Sequence, residues 1–169
     1  PVYGQGLLSA LDASVMVEIE DRPQSVEELR ELIGEEDSEE DSETPSELGD
    51  AYYYGWGVER DYEEAVKWLL LAAEQGHEGA QNNLGLMYIR GKGVTQDYEK
   101  SAKWFRLAAE QGNVNAQWYL GNMQRDGVGV IQDYKEAVSW FRKAAEQGHA
   151  DAQWSLGAMY LDGRGVTQD

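Results

Sequence analysis

One block of residues recurs through most of this chain at a fixed interval, and that interval limits the fold more than any other feature. Ala72-Ala73-Glu74-Gln75-Gly76 returns as Ala108–Gly112 and as Ala144–Gly148, 36 residues apart each time. Leu48-Gly49 returns at Leu84-Gly85, Leu120-Gly121 and Leu156-Gly157. Trp68, Trp104 and Trp140 keep the same step, as do Tyr62, Tyr98 and Tyr134. A period of this length marks an array of supersecondary units, each too small to bury its apolar side alone. The array runs from Leu48 to Asp169.

Each unit reads as two helices. In the second, Tyr98, Ala102, Phe105, Ala108 and Ala109 follow one another at three- and four-residue steps, an apolar stripe of helical period. Asp61, Asp97 and Asp133 precede these helices as N-caps, with Glu64 and Glu136 at capping-box spacing. Gly76, Gly112 and Gly148 stand where a left-handed C-terminal cap is needed. The first helix, Ala80–Arg90 for example, ends at a Gly-x-Gly turn. These signals predict an all-α fold: an α-solenoid of 36-residue helix-turn-helix units over residues 48–169, with small residues allowing close helix approach.

The pattern Ala-Gln-x-x-Leu-Gly-x-Met-Tyr, then Gly-x-Gly-Val-x-Gln-Asp-Tyr, Ala-x-x-Trp and Ala-Ala-Glu-Gln-Gly resembles the Sel-one-like repeat, a relative of the tetratricopeptide repeat. Unit three departs at Gln124, where the others carry Tyr52, Tyr88 and Tyr160; local packing is in question there, but not the fold. The resemblance implies a scaffold or adaptor that binds a protein or peptide and has no catalytic residues of its own. It also implies that the first helix of each unit lines the concave surface.

Comparing the units with one another locates a binding face. On the first helix Ala80, Gln81, Leu84, Gly85, Met87 and Tyr88 repeat with little change. At 100° per residue they share an arc of roughly 160°. The positions that change lie opposite, and Asn82, Asn83, Trp118, Tyr119, Asn122 and Trp154 are the candidate protein-binding residues among them. Aromatic side chains on a polar, variable face are the kind that anchor interfaces. Trp118 and Trp154 have a second reading, in which they pack against the following unit and fill space that Asn82 leaves. Trp68, Trp104 and Trp140 repeat, so a repeated internal contact is expected for them. Tyr53, Tyr54 and Trp56 near the array's start are explained by capping contacts at least as well as by a ligand.

Composition narrows the chemistry. Against 32 acidic residues stand 14 basic ones, a net charge of −18, whereas phosphate neutralisation needs clustered Lys and Arg; no nucleic-acid partner is expected. With no cysteine and only His77 and His149, thiolate metal sites, disulfides and a multi-His centre are excluded. The two histidines occupy the place of Asn113 in unit two and read as polar turn residues. The Gly-x-Gly pairs lack the strand and third glycine of a dinucleotide site. No cofactor, metal or active site is expected, and the chain itself is not expected to be an enzyme. The longest purely apolar run, Trp68–Ala73, is far below the roughly 20 residues that span a bilayer, so no membrane partner is expected.

Residues 1–47 are a different piece, with 15 acidic and 2 basic side chains. Glu35–Glu43 holds seven carboxylates in nine positions, and residues 35–47 are expected to form an acidic flexible linker. Residues 1–34 suggest a helix through Leu7, Leu8, Leu11 and Val15, a break at Asp21-Arg22-Pro23, and a second helix from a capping box at Ser25. This order resembles the last two helices of a bacterial serine/threonine protein kinase domain, in which the arginine matching Arg22 makes a structural pair with a buried glutamate. The kinase's catalytic motifs are not in this chain. The alternative function is therefore the C-terminal part of such a kinase, its repeats recruiting substrates or regulators. The compartment is left open, with the cytoplasm implied if the kinase resemblance holds. The absence of an initiating Met and a stop at Thr167-Gln168-Asp169, inside a unit, lead us to expect a piece of a longer protein. Leu156, Met159 and Tyr160 then lack a covering helix, and self-association through this uncapped repeat is expected.

Overall fold

The computed structural model describes residues 44–166. Seven helices follow in order: α1 (Pro45–Tyr54), α2 (Tyr62–Glu74), α3 (Glu78–Arg90), α4 (Tyr98–Glu110), α5 (Val114–Asp126), α6 (Tyr134–Glu146) and α7 (Ala150–Leu161). No strand occurs among the described residues. Helix α1 begins at Pro45, three residues before the expected start of the array. Thr44 caps it in a complete capping box: its N–H donates to Glu47 Oε2 at 2.7 Å and its hydroxyl accepts from the Glu47 N–H. The kinase-like segment and the acidic run lie outside the described residues.

Each helix packs on its sequence neighbours, and α3 also touches α1 and α5. The first helices of successive units therefore meet along one side of the stack, the arrangement of an α-solenoid. Within a unit, closeness depends on the repeated Leu-Gly. A Cβ added at Gly85 would lie 2.6 Å from the Phe105 ring, and one at Gly121 2.6 Å from the Phe141 ring. The missing side chain is the space the ring fills. Phe105 and Phe141 are fully buried, each contributing on the order of 1.5–3 kcal/mol through apolar burial. In three Gly-x-Gly turns the second glycine sets the distance between units, since a Cβ at Gly93, Gly129 or Gly165 would collide with the carbonyl of Tyr62, Tyr98 or Tyr134 one unit earlier.

Asp61, Asp97 and Asp133 cap α2, α4 and α6 as expected. Their own N–H groups donate to the carbonyls of Tyr52, Tyr88 and Gln124, so the N-cap N–H needs no reciprocal bond from the third helical residue. Glu136, expected to complete such a box, instead accepts from Arg106 at 2.9 Å and from the Trp140 indole at 3.3 Å. Gln124 keeps the backbone bond its tyrosine counterparts make, which preserves the fold. Its buried side-chain oxygen finds no partner, which is the local cost of the substitution.

Candidate functional site

The repeated arc of the first helix is spent on the core. Ala80, Leu84 and Met87, and in the next unit Ala116, Leu120 and Met123, are buried. The repeated glutamines build a ladder between units. Gln81 donates to Ala73 O at 3.1 Å and accepts from Gln111 at 2.7 Å; Gln117 donates to Ala109 O at 3.2 Å and accepts from Gln147 at 2.9 Å. Buried amides pair in this way because an unpaired one would cost about 1–3 kcal/mol. Trp68 and Trp140 are buried, and Trp104 packs against the first core. His77 and His149 are N-caps, their Nδ1 atoms accepting from the Ala80 and Ala152 N–H groups, the role Asn113 Oδ1 plays for Ala116.

The variable arc lies on the side where first helices meet, and it divides into edges and a centre. One edge turns to the following unit. Trp118 stacks on His149 with ring centres 5.4 Å apart and packs with Val138, Phe141 and Met159. Asn82, at the same repeat position, is buried. Trp154, again at that position, has no following unit among the described residues and is 74% exposed. The other edge turns back. Asn83 donates to Asp50 at 2.7 Å, and Tyr119 stacks on Phe105 with ring centres 4.9 Å apart. Burial pushes the Asp50 carboxyl above the usual carboxylate range, although the Asn83 bond opposes this. Asn122 lies between the edges, its amide donating to Trp118 O at 2.9 Å.

Asn82 and Trp118 thus lie on the edge toward the following unit, Asn83 and Tyr119 on the opposite edge, and Asn122 between them. Asp50 and Leu86 occupy the centre in units one and two, in register with Asn122. Asp50, on α1, lies outside the candidates that the sequence offers on α3, α5 and α7. The row Tyr54, Arg90, Asp126 and Asp162 is exposed in all four units and borders this centre. Its chemistry changes from aromatic to cationic to anionic, with Asp126 held low by hydrogen bonds from Arg125. Such a face offers polar and aromatic contacts. Among the described residues no cluster of His, Asp and Glu could hold a metal ion, and no helix is long and apolar enough to cross a membrane.

A family model described as Sel1 repeat matches residues 46–77, 79–113, 114–149 and 150–169. The chain belongs to the Sel1 repeat family. Sel1 repeats generally mediate protein–protein interaction, and their fold is typically non-enzymatic. Among solved structures, a Sel1 repeat protein from Oxalobacter formigenes superposes with a TM-score of 0.72 at 42% identity, over 74% of this chain and 51% of that one. Antigen c5321 of uropathogenic Escherichia coli, which displays an SLR fold, gives 0.71 at 40% identity, over 86% of this chain and 30% of its own length. Cysteine-rich protein B of Helicobacter pylori gives 0.54 at 31% identity, over 56% and 71%. The present chain thus spans about half of the first structure and under a third of the second. A search of curated proteins returns no match.

Proposed function

We propose that this Sel1 repeat chain is a scaffold that holds a peptide segment of a partner protein along the side where α3, α5 and α7 face inward. The observation that supports this most is the division of labour on the first helices. The arc that repeats is consumed by the core and the glutamine ladder, while the arc that changes from unit to unit is left beside the centre of the stack. Asn83, Tyr119, Asn122 and Trp154 are the contact residues on this reading, and Asn82 and Trp118 hold their backs in place. Trp154 is the most exposed of these four and is the expected hot spot.

The test begins with a peptide selected from a random display library against the intact chain. Trp154→Ala and Asn122→Lys are each expected to weaken its binding by at least tenfold, about 1.4 kcal/mol, with helicity unchanged. Equal affinity for both variants and the parent would remove the face from the account.

A further inference from the structure

Three cations gather at one end of this acidic array, and among the described residues none of them makes an ion pair. Arg90 Nη1 donates to the Tyr53 hydroxyl at 3.2 Å, and Lys92 Nζ donates to the Tyr62 hydroxyl at 3.1 Å. Lys92 also sits 4.6 Å from the centre of the Tyr62 ring and 5.3 Å from that of Tyr53, while the Arg60 guanidinium lies 5.8 Å from that of Tyr62. The two tyrosine rings are themselves 5.5 Å apart, so the three side chains converge on one aromatic pair. Among the described residues these three take no carboxylate; Lys103, Lys135, Arg142 and Lys143 take none either, but they do not converge on one aromatic pair. Asp50, one turn before Tyr53 and Tyr54 on α1, is held by Asn83. Beside the cluster Tyr54 and Trp56 stack at 4.4 Å, both about half exposed.

In a chain of net −18, an unpaired cationic group of this kind is complementary to one feature above all, the run Glu35–Glu43 with its seven carboxylates. That run joins α1 through Thr44. Nine residues reach up to about 30 Å when extended, against roughly 15 Å for the ten-residue helix they would have to retrace. We propose that Glu35–Glu43 docks in cis on Arg60, Arg90 and Lys92, covering the Tyr54–Trp56 stack at the first end of the inner side. A short tether supplies an effective concentration in the millimolar range, which suits a contact made of exposed ion pairs. An acidic segment of another protein would first meet the repulsion of residues 1–47, which favours the chain's own run. The contact is accordingly salt-labile and displaceable.

Because the chain has no cysteine, Ser38→Cys in the full chain gives a unique position for a nitroxide label. At about 0.05 M salt the label should broaden the Trp56 indole N–H resonance. That broadening should fall to the level of an untethered chain end in the Arg60→Gln, Arg90→Gln, Lys92→Gln triple variant and in about 0.5 M NaCl. If the triple variant loses helicity, Lys92→Gln alone serves, with a partial fall expected. Broadening that ignores both salt and substitution would overturn the proposal. So would a synthetic Glu35–Glu43 peptide that binds the cluster in trans while the tethered run shows no effect, since the site would then serve a partner.

Discussion

Gly121 and Gly157 occupy the same repeat position, follow the same leucine, and lie in opposite surroundings. At Gly121 an added Cβ would meet the Phe141 ring at 2.6 Å; at Gly157 it would meet nothing within 4 Å. The tyrosine position follows suit: Gln124 is buried on α5, whereas its counterpart Tyr160 on α7 is 46% exposed. Met159, expected to lack cover, stays buried like its counterpart Met123. The repeat therefore specifies a notch, and whether the notch is core or surface depends on the helix laid against it. Part of a solenoid unit's burial pattern is thus set by its neighbours.

Emptying an interior notch should produce the largest effect. Phe141→Ala makes Gly121 resemble Gly157 and is expected to cost about 3–5 kcal/mol in urea denaturation. A loss below about 1 kcal/mol would show that α5 and α6 do not depend on this contact. Filling the notch should separate the two glycines by sign. Gly85→Ala forces its new methyl against Phe105 and is expected to destabilise by about 1–3 kcal/mol. Gly157→Ala removes only the helix penalty of glycine and should gain up to about 1 kcal/mol. Thermal melts of the two variants moving in the same direction would break the comparison. The smallest effect expected is intermolecular. The open face of α7, with Trp154, Tyr160 and Leu161, is proposed to self-associate weakly, so sedimentation should show mass rising with concentration and Leu161→Glu should restore the monomer.

Much of the fold was legible because its determinants are local and repeated. The N-cap aspartates, the glycine C-caps and the apolar stripes of the second helices each act within one unit, and three copies made them unmistakable. The site was less legible, because its residues act between units. Trp118 could be read from sequence either as an anchor for a partner or as packing; its stack on His149 depends on a residue 31 positions later, in the next unit. The same position held by Trp154 stays open because no neighbour covers it here, so one residue type at one repeat position has two fates. Asn82 resembles a surface residue in composition, yet the fold buries it. Arg60, Arg90 and Lys92 come from a loop, a helix end and another loop, and each alone reads as an ordinary solvated charge. Their convergence on Tyr53 and Tyr62 follows from stacking unit two on unit one.

The central claim is that the varying arc of the first helices is the side that receives a partner. Hydrogen exchange of the intact chain, with and without a saturating display-selected peptide, tests it most directly. The account predicts slowed exchange in α3, α5 and α7, with α2, α4 and α6 unchanged. Protection confined to α2, α4 and α6 would place the partner on the opposite side of the solenoid and contradict it.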